Sequence, residues 1–221
     1  TVALRPTQAA DVTVYTLDAD TLAVERHARA PKDMAYSVGA TYLIADIHDG
    51  RLLVRSNIRN TDRGWSIYHE IFNRKADRWE EHPELSSLVK DRREIKPLGF
   101  FEDDRNKLYV LANRGAEFTS LWIYDVASRA WEAEPALTSP QADVIDASAA
   151  LDWTAKKTLG LGSYGIRHNA AAETFVESKL VAARAAIESR FPGPNLSITQ
   201  RDRDSSNAIV TVSGPQLAPV Y

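Results

Sequence analysis

The sequence predicts an all-β chain assembled from a strand-rich unit that recurs about every fifty residues. Three observations predict it. Short runs alternate apolar and polar residues between polar turns. The runs return in the same order, as Gly50 to Asn57, Ile71-Phe72-Asn73 and Trp79-Glu80, and again as Asn106 to Asn113, Ile123-Tyr124-Asp125 and Trp131-Glu132. Their aromatics fall at matched places, with an offset of 56 at Arg51 and Lys107 and of 52 at Trp79 and Trp131. The difference fits a longer hairpin in the first copy, around Asn60 to Gly64. A sheet unit of this length cannot bury both faces alone, so copies must stack, as in a β-propeller. The expected architecture is a partial β-propeller of about four four-stranded blades, the first and last incomplete, with one inserted α-helix near 175–190.

Val12 to Leu17 alternates, turns at Asp18 to Thr21, and is followed by Leu22 to His27, which reads as a hairpin. Tyr42 to Ile47, a turn at His48-Asp49-Gly50, Leu52 to Ser56, Trp65 to Phe72 and Trp79-Glu80 make a four-strand set. Leu98 to Phe101, Lys107 to Asn113, Ser120 to Val126 and Trp131-Glu132 make another. A weaker set starts near Ala149 and includes Thr158 to Tyr164. Thr174-Phe175-Val176-Glu177 carries a capping-box pattern, and Val176, Leu180, Ala183 and Ile187 follow at helical spacing until Pro192-Gly193 stops the run. Leu196 to Gln200 and Ala208 to Val212 resume strand character. The expected blades span 1–40, 41–95, 96–140 and 141–173, with the helix at 174–191 and a last partial blade at 195–221.

With 221 residues the chain can bury a sizeable core, and 44% hydrophobic with 26% charged residues is ordinary for a globular protein. A net charge of −3, spread along the chain, gives no reason to expect nucleic acid or an anionic membrane as partner. No apolar run approaches a membrane span. The absence of cysteine excludes disulfides, thiolate metal sites and cysteine nucleophiles, and leaves the compartment undetermined. Thr1 in place of an initiator Met, and a strand-like end at Tyr221, read as a segment trimmed from a longer protein.

Leu161-Gly162-Ser163-Tyr164-Gly165 comes close to a nucleophile elbow, but Leu161 occupies the first glycine position. Its partners also fail, because the only downstream histidine is His168, five residues on. Ser163 therefore reads as an ordinary strand-end serine. The five histidines (His27, His48, His69, His82, His168) never fall four apart on a helix, and Glu80-Glu81-His82-Pro83-Glu84 reads as a solvated turn. Asp202 to Asn207 opens like a calcium loop but lacks the glycine at its sixth place and the glutamate at its twelfth, where Ser213 stands. Asp103-Asp104 reads as a polar turn, and Gly160, Gly162 and Gly165 lack the Lys-Ser/Thr pair of a phosphate loop. Arg92-Arg93 is a short basic spot in a loop. Trp65, Phe72, Trp79, Tyr109, Trp122, Tyr124, Trp131 and Trp153 are assigned to packing between blades.

Lys96 to Phe100, Asn106 to Gly115 and Leu121 to Asp125 together resemble the propeller of the prolyl oligopeptidase family of serine peptidases. Gln141 to Val144, the passage from Thr158 to Gly193, and Pro215 to Tyr221 extend the resemblance over roughly residues 40–221. It implies the C-terminal part of an N-terminal propeller that covers and filters access to an α/β-hydrolase domain, which is itself absent. On that reading the chain carries no catalytic residue, cofactor or metal and is inactive on peptides alone. Its partners are the hydrolase domain of the same polypeptide and the peptide substrates. The alternative is a standalone β-propeller acting as a protein-interaction scaffold.

Overall fold

The structure is a computed structural model that describes residues 2–4, 13–17, 24–29, 43–45, 52–91, 95–152, 155, 157–167, 171–176, 178–190, 195–201, 208–214 and 217–220. The chain divides into two compact units, residues 1–95 and 96–221.

In the first unit, β1 (Val2–Leu4), β2 (Thr13–Leu17) and β3 (Val24–Arg29) form a three-stranded antiparallel sheet in that order. A second sheet holds β4 (Leu43–Ala45), β5 (Leu52–Thr61), β6 (Gly64–Asn73) and β7 (Arg78–Glu81), with β8 (Ser87–Leu88) added to the far end of β6. Its frame is the long β5–β6 hairpin, whose register runs outward from Thr61 opposite Gly64 to Val54 opposite Ile71. Gly64, at φ 111°, turns the chain where a side chain would be strained.

The second unit opens with β9 (Ile95–Phe100), β10 (Lys107–Ala112), β11 (Ser120–Asp125) and β12 (Ala130–Trp131), ordered β12-β11-β10-β9. Leu108 to Ala112 are all buried, so β10 is covered on both faces and its sequence does not alternate. One face contributes Tyr109, Leu111, Leu121 and Ile123 to a core with Phe101, Val144 and Ala147. The latter two come from β13 (Asp143–Asp152), which pairs with β14 (Lys157–Arg167) and, through it, β15 (Ala171–Phe175). α1 (Ser178–Arg190) follows, and β16 (Asn195–Arg201), β17 (Ala208–Gly214) and β18 (Leu217–Val220) make a last three-stranded sheet.

This architecture corrects the expected propeller. The described strands fall into five separate antiparallel sheets of 3, 5, 4, 3 and 3 strands, none closes, and one α-helix accompanies them. What recurs is a hairpin, in two copies. Phe72 faces Trp79 across β6–β7 and Tyr124 faces Trp131 across β11–β12, each pair edge to face at 5.4 and 5.3 Å. Both turns close on a side-chain acceptor: Asn73 Oδ1 takes the amides of Lys75 and Ala76, and Asp125 Oδ1 takes the amide of Ser128. Both place a left-handed residue before the return strand, Asp77 at φ 48° and Arg129 at φ 56°. The sheets β13–β15 and β16–β18 do not continue the series, and two copies are fewer than the four blades a ring needs. The helix is also displaced from the capping-box pattern, because Thr174 is drawn into β15 opposite Tyr164 and α1 starts at Ser178.

Gly162 marks a β-bulge, since Ser148 faces Ser163 while the next residue, Ala149, faces Leu161. A Cβ at Gly162 would lie 2.6 Å from the Ala150 nitrogen and 2.9 Å from the Ala149 carbonyl carbon, both backbone. Gly162→Ala is accordingly expected to destabilise the second unit by about 1–3 kcal/mol. Gly160 has open space instead, but at φ 101° it too resists replacement. Thermal melts of Gly162→Ala against the parent chain check this, and an unchanged midpoint would refute the close approach.

Candidate functional site

The structure gives the sequence's candidate residues ordinary tasks. Ser163 lies inside β14 rather than at a strand-to-helix turn, and its hydroxyl bonds that of Ser148 at 2.8 Å. His168, Arg92-Arg93, Trp153 and Asp202 to Asn207 lie outside the described residues. Asp104 closes a turn by accepting from the Asn106 amide. The cluster at Glu80 to Glu84 is dispersed: Glu80 bonds Asn73 and Arg78, Glu81 bonds Arg59, and His82 is buried with its amide on the His69 carbonyl. Among the described residues no group of three or more His, Asp or Glu is placed to hold a metal ion.

One pairing was not anticipated. Ser56 and His69 face each other across β5–β6, with Ser56 Oγ 2.6 Å from His69 Nδ1 and His69 Nε2 3.1 Å from the Ile95 carbonyl oxygen. A carbonyl only accepts, so Nε2 carries the proton and Nδ1 accepts from the serine hydroxyl. A serine joined to a histidine resembles a nucleophile and its base. Here both side chains are essentially inaccessible, at 0% and 1% exposure, and a peptide carbonyl stands where a carboxylate would orient the ring. The pair is a satisfied core hydrogen-bond chain. Counting outward from the turn at Thr61 and Gly64 would have found it in the sequence.

Burial lowers the His69 pKa from 6.5 to about 4, against the opposing bond to Ile95. The unfolded chain therefore binds a proton between these values that the folded chain refuses. Stability from this group is complete above pH 6.5, falls as pH drops towards 4, and changes no further below that. Urea unfolding should show roughly 2 kcal/mol lost between pH 7 and pH 5 on this account. His69→Gln should flatten that slope, and an unchanged slope would refute the assignment.

The other face of the same hairpin is a layer of charge on aromatic rings. The Arg55 guanidinium lies 4.5 Å over Trp79 and grips Glu70 through Nε and Nη2, at 2.5 and 2.9 Å. Arg55 Nη1 is buried without a hydrogen-bond partner among the described residues. Arg59 lies 4.4 Å over Tyr68 and grips Glu81 at 2.7 and 2.5 Å. The bond to Glu81 raises the Arg59 pKa, and burial, with Glu70 adding to it, raises that of Tyr68. The two pairs differ in weight. Losing Glu70 would strand a buried cation at a cost of about 3–5 kcal/mol, whereas the exposed Arg59–Glu81 pair contributes about 0.2–1 kcal/mol.

The second copy is built differently. Trp122, Tyr124 and Trp131 share a face of the β10–β12 sheet, by their register opposite Val110, Leu108 and one another. Trp122 is anchored through Nε1 to the Ala112 carbonyl at 3.0 Å, and Trp131 is held edge-on by the buried Tyr124. Arg114 folds back over both indoles, its guanidinium carbon 4.3 Å from the Trp122 ring centre and 5.0 Å from that of Trp131. It does so from a tight turn in which Arg114 and Gly115 both have positive φ (43° and 89°) and the Ala116 amide bonds the Asn113 carbonyl at 2.7 Å. That is the pattern of a type I′ turn.

Two further aromatic groups of the second unit carry polar partners. Tyr109 stacks on Phe101 at 4.6 Å and donates to Glu102 at 2.9 Å; burial first, then Glu102, drives its pKa upward. On α1, Arg184 stands 5.9 Å from the Phe175 ring and bonds Glu188 at 2.7 Å.

No family model matches the chain, and no curated protein matches it. This overturns the resemblance to prolyl oligopeptidases, and with it the serine-peptidase assignment and the gating role; the expected hydrolase-domain partner rested on that resemblance alone and has no support beyond it. The scaffold alternative falls with the propeller on which it depended. No helix among the described residues is long and apolar enough to cross a membrane.

Proposed function

We propose that this chain is a binding module that takes up an anionic group at Arg114, on the platform of Trp122 and Trp131. One observation carries the reading. Four arginines among the described residues stand over aromatic rings, and three of them, Arg55, Arg59 and Arg184, hold a glutamate. Arg114 alone of the four has no carboxylate partner among the described residues, and it is exposed. A guanidinium pinned on an indole loses little freedom on binding, and its in-plane N–H groups remain available to an acceptor.

The backbone supports the same reading. A non-glycine residue at positive φ costs on the order of 1 kcal/mol, and the first central position of a type I′ turn favours Asn, Asp or Gly. Arginine is a poor choice there for stability, and the stacking this exposed side chain gains on the half-buried rings, about 0.5–1 kcal/mol, only offsets that cost. Function accounts for the residue better than folding does.

The expected outcome of Arg114→Asn is therefore a separation of the two. Stability should stay within about 0.5 kcal/mol of the parent or rise, while uptake of anions at this face disappears. Urea unfolding and anion titration of the same variant check it. A loss of more than about 2 kcal/mol on Arg114→Asn would make Arg114 a structural residue and end the proposal.

A further inference from the structure

We infer that the group bound at Arg114 is a carboxylate, a deduction that rests on the binding role proposed above. The chain supplies its own precedent. Arg55 and Arg59 each stand over an aromatic ring, and each donates two N–H groups to the two oxygens of one glutamate. A guanidinium whose face is covered by a ring can bind only along its edge, and a planar carboxylate matches that edge with two parallel hydrogen bonds. Arg114 likewise stands over aromatic rings, and no described carboxylate occupies its N–H groups.

Charge around the site argues in the same direction. Glu117, exposed, lies on the loop that carries Arg114. A single arginine with an acid on its own loop suits a singly charged planar anion better than a phosphate dianion, which Glu117 repels more strongly. The carboxylate could belong to a small organic acid or to an acidic side chain of a polypeptide, and the chemistry at Arg114 is the same for both.

The test uses the full chain, labelled with nitrogen-15, and follows the arginine Nε–H resonances at pH 7 with chloride holding ionic strength constant. Sodium acetate should shift one such resonance saturably, with an affinity of roughly 10 mM, the strength of one charge-assisted pair at an exposed site. That resonance is assigned by its disappearance in Arg114→Asn. Acetate should bind at least roughly threefold more tightly than inorganic phosphate, and Arg114→Lys, followed through the indole Nε1–H resonances of Trp122 and Trp131, should weaken acetate by about fivefold, since an ammonium cannot fork. A capped glycyl-glutamyl-glycine peptide binding about tenfold more tightly than acetate would support the assignment and make its source a polypeptide. Equal affinity would support it with a small acid as the source. Phosphate binding as tightly as acetate would overturn the carboxylate assignment while leaving an anion site. No saturable shift with either anion would overturn the binding role as well.

Discussion

A guanidinium laid on an aromatic ring is the interaction around which both repeated hairpins are arranged. In each, a cross-strand pair, Phe72 with Trp79 or Tyr124 with Trp131, fixes the indole edge-on, and an arginine from elsewhere in the same sheet covers its face. An edge strand of two to four residues would otherwise leave a half-exposed tryptophan at the margin of a small sheet. Covering it with a cation shields apolar area but creates a second demand, because a buried charge must be met. Glu70 meets it for Arg55, which is why that residue can be 6% exposed. Arg114 escapes the demand by staying in water, and so keeps its donors for something outside the chain.

Much of this was legible in the sequence, and for physical reasons. Most strands stand where alternation and polar turns put them, and the turn between Thr61 and Gly64 and the repeat offset of 52 have structural counterparts, whereas Phe72, Trp79, Tyr124 and Trp131, expected to pack between blades, pair across strands of their own hairpins. The extension of two hairpins into a ring of blades was not warranted. The same short pattern, apolar residues closing on an Asx turn and a tryptophan, follows from the needs of any antiparallel hairpin with one sheltered end. Likewise Leu108 to Ala112 reads as a family motif but records burial on both faces of β10.

The misses fall where local preference and tertiary setting disagree. β13 was expected only from Ala149, yet it begins at Asp143, because its alanines and aspartates have low strand propensity and are recruited by pairing with β14 and by the packing of Val144 and Ala147 on the core of β10 and β11. Thr174 has the chemistry of a helix cap, but pairing with Tyr164 wins. The small residues around Ser163 invited a catalytic reading, whereas Gly162 is small because the β13 backbone passes 2.6 Å from where its Cβ would be. The candidate site was the least legible part. Arg114 looks like any loop arginine until the positive φ of the turn and the fold-back over Trp122 and Trp131 are seen together.

The account stands on Arg114 being held on its platform before any ligand arrives, and nuclear relaxation of its Nε–H in the free chain measures that directly. The account predicts an order parameter above roughly 0.6, approaching that of the buried Arg55, and a fall when Trp131 is replaced by leucine. A value as low as that of the exposed hairpin arginine Arg63, unchanged by the Trp131→Leu replacement, would mean the guanidinium is not fixed on the indoles, and the proposed site would be contradicted.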